Sequence, residues 1–334
     1  MLQEPKSKQQ RAARVILLTM LTVVIVLFAA SAWMIYQNTK AKNHIRYITY
    51  KNLVALKMAI TINAMEMNAK IVFGEVGKHL ESPESVVEAL SNTSYLSPDV
   101  RGYFAAFEPN HFPEKGKWFE PYMHQEDSNG FSMRQVGSPR HDYTKSQWYI
   151  QAEERKDYFW SDPYYYYDGT NISGNYSTYV KPIYDESGKM ICVCGADMTF
   201  EWLARDLQKE DDFFRHDELQ NKYIGEEEDD FFTVILSGDG SCVAYPQGKR
   251  VVLNNPQLLD DLTNKKSGML EASINGVLST VYYGPIANMD WAVAIVVPQH
   301  SISQSMRTNG MVLLLISVIG IVIGLFAYRK AINV

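Results

Sequence analysis

An α+β chain, with two tandem domains on antiparallel sheets behind a long N-terminal helix and a membrane helix at either end, is the fold class the sequence predicts. Three observations carry that expectation. Two long stretches near the ends hold no charge, a proline-free stretch follows the first of them, and one strand–hairpin–strand pattern occurs twice.

The uncharged stretches are residues 15–36 and 309–328. At about 1.5 Å rise per residue each makes a helix of roughly 30 Å, the hydrocarbon thickness of a bilayer. Ala30-Ser31-Ala32 also offers a cleavage site of the kind a secretory leader carries. The apolar run is too long for an ordinary leader core, however, and continues through Trp33, Met34, Ile35 and Tyr36, where an interfacial aromatic belt would sit. Lys6, Lys8, Arg11 and Arg14 precede the first stretch, and Arg329 and Lys330 follow the second, so both termini (1–14 and 329–334) are expected in the cytoplasm. Removing the +3 of the leader and the +2 of the tail from the chain's −6 leaves −11 on residues 37–308, which are expected outside the membrane. A chain that is 46% hydrophobic, 21% charged and net acidic is neither disordered nor a general nucleic-acid binder.

Residues 37–80 lack proline and read as one long helix. Leu53, Leu56, Ile60, Met67 and Ile71 form an apolar stripe near a seven-residue spacing, suited either to the chain's own body or to a second copy. Ser82-Pro83 starts a short helix through Leu90. Runs 102–107, 118–123 and 131–136 are then rich in β-formers between turn residues. Trp148-Tyr149 opens a further helix, and strands at 176–184 and 190–198 are joined by Asp185-Glu186-Ser187-Gly188, a hairpin turn.

Residues 199–230 begin as a charged helix and end in Glu226-Glu227-Glu228-Asp229-Asp230, a solvated acidic run without the spacing or central glycine of a calcium loop. A second, smaller copy of the pattern follows: strands at 231–236 and up to Tyr245, a helix at 256–263, then strands at 268–274, 277–284 and 291–297. Pro285-Ile286 before the last strand echoes Pro182-Ile183. The expected division is 37–80 helix, 81–205 membrane-distal domain and 206–300 membrane-proximal domain. Cys192, Cys194 and Cys242 form no disulfide framework and have no metal spacing.

The order Trp148-Tyr149, Trp160-Ser161-Asp162-Pro163-Tyr164, Tyr176-Ser177-Thr178-Tyr179-Val180-Lys181-Pro182-Ile183-Tyr184-Asp185 and Gly195-Ala196-Asp197-Met198 resembles the double Cache (dCache) sensor modules of bacterial transmembrane receptors. The resemblance covers roughly residues 37–308. It implies PAS-like domains, the distal one a five- or six-stranded antiparallel sheet that holds a ligand, with the long helix along its side. In the amino-acid-binding branch a Tyr and an Arg precede the Trp-aromatic pair by seven and two residues. Here those positions are His141 and Ser146, so capture of an α-carboxylate loses its planar guanidinium fork, with Lys145 or Arg140 as a substitute.

The ligand-binding residues implied are Trp148, Tyr149, Tyr164 and Asp197, with Tyr176, His141, Lys145 and Ser146 as additional positions. On spacing alone Trp160, Asp162, Tyr164 and Tyr166 alternate and would share one strand face, suited to a small polar ligand. Asp197 suits an ammonium group or, alternatively, caps the helix that follows it. Trp148 and Trp160 are equally read as core aromatics.

No phosphate loop, nucleophile elbow or zinc helix is present, so no catalytic residue, metal or cofactor is expected. The expected function is the sensory input module of a bacterial receptor in the inner (cell) membrane, binding an amino acid, amine or related metabolite and passing the signal through the membrane helices. The alternative is a membrane-anchored scaffold with a ligand-free Cache fold. Expected partners are the ligand, the membrane, a second copy of the chain, for which Gly320 and Gly324 offer a small-residue contact, and a cytoplasmic kinase, phosphatase, cyclase or chemotaxis domain in cis or in trans. No nucleic acid is expected.

Overall fold

The apolar stretch and the proline-free stretch merge into one unbroken helix, α1 (Glu4–Lys78). The computed structural model describes residues 4–96, 100–126, 130–167, 173–216, 230–246, 249, 251–253 and 255–332. The acidic run at 226–229 lies outside them. α1 contains one span long and apolar enough to cross a membrane, and none of that span is buried against the rest of the chain. Helix α6 (Gln299–Ile332) packs beside α1, and its apolar part is shorter, Gly310–Phe326.

Beyond the apolar span α1 buries one stripe, including Tyr47, Tyr50, Met58, Met65 and Val72, at the three-and-four spacing of a helix face. The stripe of Leu53, Leu56, Ile60, Met67 and Ile71 is a different one. Those side chains are 52–66% exposed and point away from the chain's own body.

Helix α2 (Pro83–Thr93) begins where expected, with Ser82 accepting the Ser85 N–H and proline at the first turn. The distal sheet holds β1 (Gly102–Phe107), β2 (Pro121–Gln125), β3 (Phe131–Gln135), β4 (Phe159–Trp160), β5 (Tyr164–Tyr167), β6 (Ser173–Tyr184) and β7 (Met190–Thr199). All pairings are antiparallel, in the order β3-β2-β1-β7-β6, with β4 and β5 both on β6. The described sheet therefore has seven strands rather than five or six, because the segment around Trp160-Tyr167 breaks at Pro163 into two short pieces. Helix α3 (Gln147–Arg155) lies on the face opposite α1.

Helix α4 (Phe200–His216) follows β7 without a linker. The proximal sheet then pairs β8 (Phe232–Ser237), β9 (Cys242–Ala244), β10 (Gly268–Ile274), β11 (Val277–Pro285) and β12 (Trp291–Pro298) in the order β10-β11-β12-β8-β9. Helix α5 (Pro256–Thr263) is capped by Asn255. β10 and β11 are joined by Asn275-Gly276 at φ +51° and +82°, the left-handed pair a two-residue hairpin requires.

The repeat seen in the sequence is thus a repeat of topology. In each sheet the last strand lies centrally beside the first, β7 on β1 and β12 on β8, and runs straight into a helix, α4 or α6. One continuous core joins α1 to both sheets, through Tyr103, Cys192, Cys194 and Met198 above and Ile235, Trp291, Val293 and Ile295 below. Cys192 and Cys194 are buried free thiols on that face.

Candidate ligand-binding site

The distal sheet turns its other face toward α3, and strand alternation brings Phe104, Glu120, Tyr122 and Asp197 to that side. With Val136, His141, Trp148, Tyr164 and Tyr166 they enclose a cavity of about 20 Å³, room for roughly one water-sized group.

Two glycines shape its floor. A Cβ on Gly195 would stand 2.1 Å from Phe104 Cζ, and one on Gly102 would stand 2.4 Å from the hydroxyl of Tyr122. The rings of Phe104 and Tyr122 lie across the sheet only because these two positions have no side chain.

Asp197 sits opposite Gly102 on β1 and Thr178 on β6. Its Oδ1 accepts from Thr178 Oγ1 at 2.6 Å and its Oδ2 from Tyr122 OH at 3.1 Å. Thr178 Oγ1 also lies 2.6 Å from Tyr164 OH. A hydroxyl has one proton to give, so with Thr178 donating to Asp197, Tyr164 donates to Thr178. Asp197 does not cap α4; Thr199 does, accepting the Trp202 N–H at 3.3 Å.

Burial pushes the Asp197 carboxyl up to about 6, against the opposing pull of its bonds from Thr178 and Tyr122. Glu120, 3% exposed, is raised well above its ordinary value, first by burial and then by the charge of Asp197. Its Oε2 accepts no hydrogen bond, and the His141 Nε2 stands 3.5 Å away. Tyr122 and Tyr164 are raised by burial and by Asp197, so both remain neutral phenols.

The structure brings together five of the residues read from the sequence: His141, Trp148, Tyr164, Tyr166 and Asp197. Trp148 packs on Phe104 with ring centroids 4.8 Å apart, and the His141 ring meets Tyr166 edge-on at 5.0 Å. Tyr176 stands behind the wall, its ring 6.3 Å from Tyr164 and 6.0 Å from Tyr166.

Other positions fall elsewhere. Trp160, Asp162, Tyr164 and Tyr166 do not share a face. Trp160 pairs with Tyr179, packs in the α1 core and donates its indole N–H to Glu66 at 2.9 Å, while Asp162 is exposed between two strands. The break at Pro163 resets the alternation that spacing alone assumed. Tyr149 donates to Glu108 at 3.0 Å and packs against Tyr143, outside the cavity wall. Lys145 extends into solvent beside Asp142, and Ser146 occupies the N-terminal position of α3 without a side-chain cap, so neither replaces a guanidinium at the cavity.

Sequence reasoning missed Phe104, Glu120, Tyr122, Val136 and Thr178. The available signal was the alternation Glu120, Tyr122, His124, which puts an acid on the same face as a buried ring.

A larger cavity, about 300 Å³, opens at the end of the proximal sheet among Leu262, Lys265, Lys266, Asp290 and Trp291. Its lysines are 58–60% exposed and Lys265 is paired with Asp290 at 3.1 Å, so its charges are solvated, unlike the buried acids of the distal site.

Residues 86–205 match the family described as methyl-accepting chemotaxis protein-like, first PDC sensor domain. No curated protein shows significant sequence similarity to the chain. The extracellular domain of mmHK1S-Z3, assigned as a histidine kinase, superposes with a TM-score of 0.60 at 18% identity, over 79% of this chain and 97% of that one. The periplasmic sensory domain of the Campylobacter jejuni chemoreceptor Tlp1 gives 0.60 at 17%, over 76% and 94%. Methyl-accepting chemotaxis protein X gives 0.58 at 17%, over 79% and 98%. The chain has the double Cache, or PDC, sensor fold.

Proposed function

Given that fold, we propose that the chain is the sensory input module of a bacterial transmembrane receptor, with 37–308 extracytoplasmic, membrane helices at 15–36 and 309–328, and a small polar ligand in the distal cavity. The observation that carries this is the pair of buried carboxyls, Glu120 and Asp197, in a cavity walled by aromatic rings, with Glu120 Oε2 accepting no hydrogen bond and the His141 Nε2 3.5 Å from it. A buried polar atom without a partner costs roughly 1–3 kcal/mol, more when charged, and a site that only had to be filled would use aliphatic side chains. The small cavity favours the ligand-free scaffold as a second reading; Glu120 weighs against it.

Transmission follows from connectivity. The strand that carries Asp197 leads directly into α4, which is tied to α1, and the matching strand of the proximal sheet leads directly into α6. A ligand that binds one arrangement of these elements more tightly shifts the population toward it. The output is a kinase, phosphatase, cyclase or chemotaxis domain in cis or in trans.

The working unit is a homodimer through the exposed stripe of α1. Its five large side chains present on the order of 500 Å² of apolar surface, the upper range for a monomer, and two copies together reach the roughly 1,000 Å² a specific interface needs. Two copies in one membrane are parallel, so the stripe meets itself about a two-fold axis. Gly320 and Gly324 have nothing within 4 Å of their Cβ positions in a single chain, leaving that face of α6 open to a partner helix.

The test is thermal unfolding of the full chain in nanodiscs against amino acids, amines, carboxylates and nucleobases, repeated with Trp148→Ala and Asp197→Ala. A ligand at 100 times its dissociation constant adds about 2.7 kcal/mol. A stabilising compound whose effect both variants abolish is the expected result; no effect from any class returns the scaffold.

A further inference from the structure

We infer that the cavity at the end of the proximal sheet is a second ligand site, and that it takes a small organic anion, a carboxylate on an apolar body.

The cavity lies where the turn between β11 and β12, the start of β12 and the chain between α5 and β10 come together. Its volume of about 300 Å³ is at the lower end of the range that holds small ligands. Leu262, Met289 and Trp291 are buried and give it an apolar floor. Its charged wall residues are Lys265, Lys266 and Asp290, two positive and one negative. Residues 37–308 are strongly acidic as a whole, so a wall of net positive charge is a local reversal of sign.

The two lysines can exchange partners. Lys265 pairs with Asp290 at 3.1 Å and Lys266 with Asp260 at 3.9 Å, and both acids are largely exposed. Exposed pairs contribute little, so a ligand carboxylate takes over either lysine at small cost. Two ammonium groups at one rim suit the two oxygens of one carboxylate.

A third cation stands behind the wall. Lys51 of α1 is 5% exposed and donates to Ser267 Oγ at 3.0 Å, and no carboxylate among the described residues pairs with it. Ser267 follows Lys266 in the chain, and Gly284 precedes Pro285, another wall residue. A Cβ on Gly284 would stand 2.6 Å from Lys51 Nζ, so the missing side chain is what lets this ammonium reach the sheet. Burial lowers the Lys51 pKa with no neighbouring acid to offset it. A buried charge is screened less than an exposed one, and its field adds to that of the rim lysines. A bare inorganic anion would leave the apolar floor uncovered, which is why the anion needs an apolar body.

The position of the cavity gives occupancy a consequence. The Trp291 ring lies 5.3 Å from that of Phe200, the first residue of α4, and 6.5 Å from that of Trp160, whose indole is bonded to Glu66 of α1. A molecule against Trp291 therefore bears on the junction of the two sheets with α1 without entering the distal cavity.

The experiment compares 3-phenylpropionate, 3-phenylpropionamide and propionate by calorimetry with the full chain in nanodiscs, with the heats from empty nanodiscs subtracted. The amide keeps the size and removes the charge, and propionate keeps the charge and removes most of the apolar body. 3-Phenylpropionate is expected to bind at least about tenfold more tightly than either. Lys265→Gln combined with Lys266→Gln removes both exposed charges without touching the core, and is expected to weaken 3-phenylpropionate about tenfold. Thr263→Phe, at an exposed position of the wall, fills the cavity and is expected to weaken it likewise.

Equal or tighter binding of the amide or of propionate would overturn the inference. So would a folded lysine double variant, or a folded Thr263→Phe variant, that binds 3-phenylpropionate as the wild type does, since the compound would then sit elsewhere in the chain. Absence of binding by all three compounds would overturn it as well, and would leave the reading of the distal cavity standing.

Discussion

Tyr50 of α1 donates a 2.7 Å hydrogen bond to Asp211 of α4, a buried contact between residues 161 positions apart in the sequence. The same carboxylate accepts the Thr233 N–H at 2.8 Å and its hydroxyl at 2.5 Å. Asp211 therefore joins α4, α1 and the first proximal strand in one interaction, reinforced by Lys57 of α1, which bonds Glu210 and lies 3.4 Å from Asp206. Burial raises the Asp211 carboxyl, and the bonds from Thr233 and Tyr50 draw it back. The contact stands at the end of the helix that leaves the ligand strand, where a displacement of β7 would be felt.

Removing one donor and removing the acceptor should therefore differ. Tyr50→Phe deletes a single bond and is expected to cost about 1–2 kcal/mol. Asp211→Ala strands the buried Thr233 N–H and the Tyr50 hydroxyl together and is expected to cost about 3–5 kcal/mol. Denaturant unfolding of the two variants checks the order. Equal costs would mean that Thr233 and Tyr50 find other partners.

The floor of the ligand cavity gives a second prediction. Gly195→Ala puts a methyl group 2.1 Å from Phe104 Cζ, and the ring also packs on Trp148, centroids 4.8 Å apart. The variant is expected to lose about 1–3 kcal/mol and to bind ligand weakly. Adding Phe104→Leu should return part of the stability, because the clash is with the ring and not with the backbone. A double variant no more stable than Gly195→Ala would rule that account out.

How far the sequence could be read depended on the range of the forces involved. Strands such as Gly102–Phe107 and Trp291–Pro298 were legible because local composition and turn residues specify them. The long helix was legible from its lack of proline, although its merger with the apolar span was not, since nothing at residues 36–37 marks a break that fails to occur. At the site, Asp197 and Trp148 were found through motif order. Glu120 and Tyr122 were not, because their role comes from the pairing of β2 with β1, a register set by contacts distant in sequence. Trp160 was placed on the wrong face because one proline interrupts a strand that spacing alone treats as continuous.

The outward stripe of α1 yields a third prediction. Ile60 is 59% exposed and Leu56 is 59% exposed, so Leu56→Glu and Ile60→Glu leave the monomer's core untouched. Both are expected to shift unfolding by under about 0.5 kcal/mol and to abolish cross-linking of a cysteine placed at Met67 in membranes. A cysteine at Lys78, beyond the stripe, serves as the control. Undiminished Met67 cross-linking with both glutamates present would place the dimer interface elsewhere.

The fourth prediction concerns pH, and its sign follows from the direction of the shifts. Asp197 is raised to about 6 by burial, and Glu120 is raised by burial and by Asp197. A raised carboxyl holds its proton more tightly in the folded chain than in the unfolded one. The Asp197 contribution to the stability of the empty domain is therefore complete below about pH 4 and is lost as pH rises through about 6, and Glu120 acts in the same direction. An ammonium ligand selects the opposite, deprotonated state. Its affinity should fall as pH drops below about 6, by up to about tenfold per unit for each proton displaced, and binding near pH 6 should release protons, visible as a heat that changes with the ionisation enthalpy of the buffer. Tyr122 and Tyr164, raised by burial, stay neutral throughout. Glu120→Gln tests this: if the carboxylates hold the displaced protons, proton release must shrink in that variant, and release that persists in full would overturn the account.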